Sequence, residues 1–168
     1  NVYVADQDAP SAENGTGHVV AMQVDPLTGT RVQPAIDRAL PLTFERDETT
    51  YRFNRPGSIA MDPAGQWTYV VVSAEDASLG DGILVLSTAR NQAEDFIPFS
   101  GASLATAPGI PRPPPVRSSS GRRTIVTSKD GRLLYAATGL SITIVNLAES
   151  RVVQQLAALH KRTPGLDL

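Results

Sequence analysis

This 168-residue chain contains a repeat built around three tyrosines. Tyr3, Tyr69 and Tyr135 are 66 residues apart and lie in similar apolar surroundings, NVYVAD, QWTYVVV and RLLYAAT. The second and third tyrosines each end a matching unit (58–69 and 124–135) made of a short apolar segment, a glycine-containing turn and a second apolar segment. Because a fixed period of this kind is typical of repeat folds, the sequence predicts copies of one β-unit.

Two further strands are predicted after each tyrosine. The predicted third strands are His18–Asp25, Ile83–Ser87 and Ile142–Asn146, and the predicted fourth strands are Thr30–Ile36, Glu94–Phe99 and Arg151–Leu156. Alternating and β-branched apolar residues between turn-forming residues favour strands over helices. An amphipathic helix over 147–159 is the alternative in one place, where the repeat favours a strand.

The repeat predicts an all-β fold, a β-propeller of four-stranded antiparallel blades in which the chain covers only part of a ring. The strands of a blade are labelled A to D in chain order. We expect a partial blade of strands B to D over 1–54, a blade with a long D–A loop over 55–122, a blade over 123–162, and the first strand of a next blade over 163–168. Closed propellers have about four to eight blades, so other chains or missing segments are needed to complete the ring. A β-sandwich of about eleven strands is the structural alternative.

Three segments carry a family resemblance. Residues 55–71, RPGSIAMDPAGQWTYVV, resemble the YVTN-type repeat P-x-x-I-A-h-x-P-D-G-x-x-h-Y-V (h, apolar), with Ala64 where Asp is usual, and residues 123–139 keep its Asp130–Gly131 turn. The first partial blade is similar to lactonase-type propellers, whose blades carry a D-P-x-T-G turn like that at 25–29. The resemblance implies propeller architecture and a bacterial protein in the periplasm or outside the cell. It implies no catalytic residue, since the matching positions are turn and core residues.

The long predicted connections fall between strands B and C (6–17 and 73–82) and between strand D and the next strand A (37–54 and 100–122). In an antiparallel blade these connections emerge at one face, whereas the short A–B and C–D turns emerge at the other. Repeat proteins bind through the face that carries such insertions, so we predict a protein partner there. Neutral variation in loop length is the alternative.

Residues 109–123, GIPRPPPVRSSSGRR, differ from the rest in composition. Consecutive prolines favour the extended polyproline II conformation, and arginines pair with carboxylates through two hydrogen bonds. The predicted partner-binding residues are Arg112, Pro113, Pro114, Pro115, Arg117, Arg122 and Arg123. A solvated spacer between blades is the alternative.

Residues for catalysis or metal binding are few. The chain has no cysteine and two histidines, His18 and His160, and it lacks G-x-S-x-G, H-E-x-x-H, Walker A and G-x-G-x-x-G motifs. The sequence therefore predicts no cofactor and favours a non-catalytic protein. Asp6, Asp8 and Glu13 form a weak Ca²⁺ candidate, with a solvated acidic loop as the alternative.

Charge and hydropathy exclude two classes of partner. Fifteen basic and 17 acidic residues give a formal net charge of −2, without the basic excess of a nucleic-acid-binding protein. No apolar run approaches the roughly 20 residues that span a bilayer. We predict a non-catalytic interaction or scaffold subunit of an extracytoplasmic bacterial assembly. The alternatives are a lactonase-like hydrolase of a sugar lactone or small ester, and a ligand- or Ca²⁺-binding module.

Overall fold

The fold is all-β in the part of the chain that the computed structural model describes, residues 2–6, 18–25, 27–30, 38–101, 124–138 and 141–157. These residues form three sheets whose strands all pair antiparallel, and they contain no helix. The all-β prediction is therefore confirmed.

Sheet one contains β1 (Val2–Asp6), β2 (His18–Met22) and β3 (Arg38–Leu40), in that order. The first two strands confirm the predicted second and third strands of the repeat. The predicted fourth strand, Thr30–Ile36, needs correction at its start. Thr30 accepts a hydrogen bond from the Asp25 N–H (2.8 Å) and so belongs to the turn after β2, while 31–36 lie outside the described residues. Among the described residues, the strand that pairs with β2 on the side opposite β1 is Arg38–Leu40.

Sheet two contains six strands, which are β4 (Thr43–Arg46), β5 (Thr49–Asn54), β6 (Ile59–Met61), β7 (Trp67–Ala74), β8 (Asp81–Ser87) and β9 (Gln92–Pro98). Their order is β4-β5-β7-β8-β9, and β6 pairs with β7 beside the end of β5. The strands β6 to β9 lie close to the four strands predicted for this unit. The prediction of a loop over 37–54 is wrong, because β4 and β5 form a hairpin there.

Aromatic packing explains this hairpin. Asp47 and Glu48 both have positive φ (50° and 60°), as in the two-residue type I′ turn, which matches the twist of a β-hairpin. The Phe44 ring stacks on the Phe53 ring with centroids 5.8 Å apart. The Phe53 ring contacts the Phe96 ring of β9, with centroids 4.6 Å apart. The hairpin is therefore held by burial against a strand more than 40 residues away, which no local sequence pattern reports.

Sheet three contains β10 (Thr124–Thr127), β11 (Leu133–Thr138), β12 (Ser141–Asn146) and β13 (Arg151–Ala157), in that order. It repeats the pairing of β6 to β9. The strand β13 replaces the helix considered over 147–159, of which 158 and 159 lie outside the described residues.

The three sheets stack face to face, with sheet two in the middle. Each sheet has a tyrosine face, which carries Tyr3, Tyr69 or Tyr135, and a reverse face. The tyrosine face of sheet one packs on the reverse face of sheet two in a core that includes Val19, Leu40, Val70, Leu84 and Phe96. The tyrosine face of sheet two packs on the reverse face of sheet three in a core that includes Tyr69, Ile83, Ile97, Leu134 and Val145. The same two kinds of face therefore meet twice.

Side-chain hydrogen bonds join neighbouring sheets near their tight turns. The Tyr3 hydroxyl donates to Asn91 Oδ1 (2.9 Å) in the β8–β9 turn. The Thr127 hydroxyl donates to the Met61 carbonyl (2.8 Å), which joins the ends of β10 and β6. These contacts place the tight turns of the three sheets at one end of the stack.

Candidate functional site

A cleft of about 300 Å³ lies between sheets two and three, beside the tight turns. Its lining combines an apolar floor with charged and polar groups, and consists of Arg46, Trp67, Tyr69, Val85, Glu94, Asp95, Ile97, Leu147 and Ser150. The floor comes from the tyrosine face of sheet two, and Leu147 and Ser150 come from the β12–β13 turn. It is an inter-sheet groove that the core does not fill.

A β-bulge brings two acidic side chains to the wall of this cleft. Val85 pairs with Asp95, but the next residue of β8, Leu86, pairs with Ala93, so Glu94 is an extra residue in β9. A bulge of this kind re-aims the side chains of its strand. Glu94 and Asp95 therefore both line the cleft, although neighbours in a regular strand point to opposite faces.

Both carboxylates pair with arginines. Arg46 Nη2 lies 2.8 Å from Asp95 Oδ1, which also accepts the Phe96 backbone N–H at 2.8 Å. Arg90 Nη2 lies 2.9 Å from the Glu94 carboxylate. The side chains of Arg46 and Arg90 are 37% and 63% exposed, so these pairs contribute little stability, typically about 0–1 kcal/mol each. The two carboxylates at the wall of the cleft are therefore each paired with one arginine, of which Arg46 also lines the cleft.

Tyr69 is the floor residue whose ionisation is perturbed. Burial, and then the charge of Asp62, raise the pKa of Tyr69 from 10.0 to about 12. Its hydroxyl therefore stays protonated at neutral pH. Asp62 is held by the turn between β6 and β7, where its Oδ1 accepts the Trp67 N–H (2.7 Å).

The predicted site residues fall mostly outside the described part of the chain. Arg112, Pro113, Pro114, Pro115, Arg117, Arg122 and Arg123 lie outside it, as do Asp8, Glu13 and His160. Asp6 ends β1, where its backbone pairs with His18. Within the described residues, no group of three or more His, Asp and Glu side chains is arranged to hold a metal ion.

The cleft was not predicted from the sequence. Trp67 packs against the core between sheets two and three and also lines the cleft. Arg46 was placed in a loop, and its partner Asp95 is 49 residues away. The one available signal was the Glu94–Asp95 pair in an otherwise apolar strand.

The longer connections leave the opposite end of sheet two. The connection between β7 and β8 is closed by a hydrogen bond from the Ala74 N–H to the Gly80 carbonyl (3.0 Å). The segment after β9 begins beside it, where the Phe99 N–H donates to the Asp81 carbonyl (2.9 Å). At the other end, the Thr88 hydroxyl donates to the Gln66 carbonyl (2.9 Å) and joins the two tight turns.

Comparisons with known proteins give fold-level likeness alone. No family model and no curated protein matches the chain. The hydrazine synthase of Kuenenia stuttgartiensis is similar in structure, with 17% sequence identity, a TM-score of 0.46 and coverage of 82% of this chain and 29% of that one. A functionally unknown protein from Desulfotomaculum acetoxidans DSM 771 is similar over 83% of this chain and 34% of that one, with 16% identity and a TM-score of 0.41.

This chain therefore spans about a third of the length of the solved structures that it matches. At these TM-scores, neither structure informs the function of this chain. Among the described residues, no helix has the length and hydropathy to cross a membrane.

Proposed function

We propose that the chain is part of a β-propeller and acts as a non-catalytic interaction or scaffold subunit. It binds a protein partner through the end of the stack where the long connections emerge. It needs no cofactor, and it works in the periplasm or outside a bacterial cell, as the resemblance to YVTN-type repeats implies.

The repeated packing of the sheets supports the propeller. β6 to β9 and β10 to β13 have the same strand order and antiparallel pairing, and each contains a β-bulge in its last strand. Sheet one supplies the corresponding last three strands of a unit. A stack in which each tyrosine face meets the next reverse face is the arrangement that propeller blades repeat around a ring.

The observation that supports a binding role is that one end of the stack has tight turns and the other end has long connections. The tight turns are fixed by local hydrogen bonds, such as those from the Trp67 N–H to Asp62 and from the Leu133 N–H to the Ser128 hydroxyl (2.7 and 2.9 Å). A long connection is not needed to join two strands of a blade, and residues in such loops are available for binding. The segment that contains the predicted partner-binding arginines and prolines leaves β9 at the end with the long connections.

Site-specific photocrosslinking tests this proposal. A photoreactive phenylalanine analogue replaces Glu75, exposed in the β7–β8 connection, or Ala89, exposed in the β8–β9 turn as a matched control. In extract of the source organism, we expect a discrete crosslinked partner from position 75 and none from position 89.

A deletion gives the second arm of the same experiment. Removal of residues 111–115 is expected to weaken crosslinking at position 75 and to leave the thermal unfolding of the sheets unchanged. Equal crosslinking from both ends, or full crosslinking after the deletion, would contradict the proposal.

A further inference from the structure

The two outer faces of the stack carry apolar side chains that no described residue covers. On the tyrosine face of sheet three, Val126, Ile142 and Leu156 are 57%, 42% and 43% exposed. On the reverse face of sheet one, Val2 and Val4 are 44% and 43% exposed. Clusters of this kind on a sheet face mark an interaction surface.

The exposed tyrosine face of sheet three is equivalent to the tyrosine face of sheet two, which sheet three covers at the matching positions. Ile142 pairs with Leu156 in sheet three, as Ile83 pairs with Ile97 at the equivalent position of sheet two. Ile83 and Ile97 are 0% and 1% exposed, because the reverse face of sheet three covers them. The difference of about 40 percentage points therefore comes from the missing neighbour, since all four side chains are aliphatic and the register matches.

The exposed reverse face of sheet one has a covered equivalent as well. Val2 and Val4 flank the tyrosine of β1, as Leu134 and Ala136 flank the tyrosine of β11. Leu134 and Ala136 are 0% and 1% exposed, because they pack against the tyrosine face of sheet two. The free face of sheet one is thus of the kind that covers a tyrosine face.

We propose that the tyrosine face of sheet three binds the reverse face of sheet one of a second copy of this chain. The two free faces are the two halves of an interface that the chain already forms twice within itself. A second copy supplies both halves, and continues the stack in the direction set by the two internal interfaces. This proposal deepens the proposed propeller by naming what completes the ring.

Ring size favours two copies. The contact is head-to-tail, so it closes into a ring or continues as a filament, depending on the rotation between copies. The described residues of two copies supply six sheets, and those of three copies supply nine. Because closed propellers have about four to eight blades, this number favours the dimer over the trimer.

The first test is the mass of the purified 168-residue chain by size-exclusion chromatography with light scattering. We expect twice the 17.8 kDa of the monomer. Ile142→Lys, on the tyrosine face of sheet three, and Val4→Asp, on the reverse face of sheet one, are each expected to abolish the dimer. Leu27→Lys is the matched control, because Leu27 is 93% exposed in the turn after β2 and lies on neither face.

Mixing the two face variants tests the head-to-tail geometry. In a mixed dimer one interface pairs the introduced lysine with the introduced aspartate, and the other interface is unaltered. Equimolar Ile142→Lys and Val4→Asp chains are therefore expected to form a dimer together that neither forms alone. Leu156→Lys with Val2→Asp gives a second pair, and far-ultraviolet circular dichroism verifies that every variant is folded.

A folded monomer, an open-ended filament or a dimer that survives all the face variants would each overturn the second-copy proposal. These results leave the crosslinking at position 75 unaffected. The two proposals can therefore fail separately.

Discussion

The buried hydroxyl of Thr68 gives a quantitative test of the packing between sheets one and two. Thr68 is 0% exposed on β7, and its Oγ1 has no hydrogen-bond partner among the described residues. It shares the reverse face of sheet two with Val70 and Val72, which belong to the core shared with sheet one. Replacing Thr68 with valine exchanges this hydroxyl for a methyl group of similar shape.

The expected effect is a stabilisation. Burying a hydroxyl without a partner costs about 1–3 kcal/mol in proteins, and Val has the same β-branched shape and strand preference as Thr. Allowing for imperfect packing of the new methyl, we expect Thr68→Val to raise the free energy of unfolding by about 1–2 kcal/mol. At about 2–4 °C per kcal/mol for a chain of this size, Tm rises by about 2–8 °C.

Urea unfolding measures this change through the fluorescence of Trp67, the chain's single tryptophan, at one fixed protein concentration. Thr127→Val is the matched control, because the Thr127 hydroxyl donates to the Met61 carbonyl. Its loss is expected to lower the free energy of unfolding by about 0.5–1.5 kcal/mol. If Thr68→Val destabilises the chain, or if both variants shift stability in the same direction, the reasoning about the unpaired hydroxyl is refuted.

Three further predictions concern the hairpin turn, a close backbone approach and a buried phenol. Glu48→Gly is expected to stabilise the β4–β5 hairpin by about 0.5 kcal/mol, because Gly adopts positive φ without the steric cost that Glu has there. Glu48→Ala is the control for the lost charge. Equal stability of the two variants in thermal melts would contradict the prediction. Gly82→Ala is expected to lower the free energy of unfolding by about 3 kcal/mol, because the added Cβ would lie 2.5 Å from both the Ile97 carbonyl oxygen and the Phe96 ring. A urea unfolding curve equal to that of the unaltered chain would refute this close contact. The raised pKa of Tyr69 means that the folded state resists ionisation. The stability that the protonated Tyr69 contributes to the folded state is complete below pH 10 and is lost as the pH rises towards about 12. Ultraviolet absorbance titration should find a late-titrating tyrosine that is absent from Tyr69→Phe, and its persistence in that variant would exclude Tyr69 as the source.

The repeat unit was predictable because its determinants are local. The Asp62 and Ser128 side chains each bond a backbone N–H five residues ahead, and Gly65 and Gly131 supply positive φ (70° and 69°) in the same turns. These residues fix where one strand ends and the next begins, whatever packs against them. The second, third and fourth strands of the two later units therefore lie close to their predicted positions.

The cleft and the β4–β5 hairpin were not predictable in this way. The Arg46–Asp95 pair and the Phe53–Phe96 contact join residues more than 40 positions apart, and neither has a sequence pattern of its own. The bulge that brings Glu94 to the cleft is likewise a feature of pairing between β8 and β9.

The strand order within each unit follows from local sequence, because alternation, turn residues and glycine positions act over a few residues. Which faces of the sheets are covered depends on how the sheets pack together. Ile83 and Ile142 are the same residue type at equivalent positions, yet one is fully buried and the other is 42% exposed. Burial depends on the neighbouring sheet, and a single strand's sequence does not contain that information.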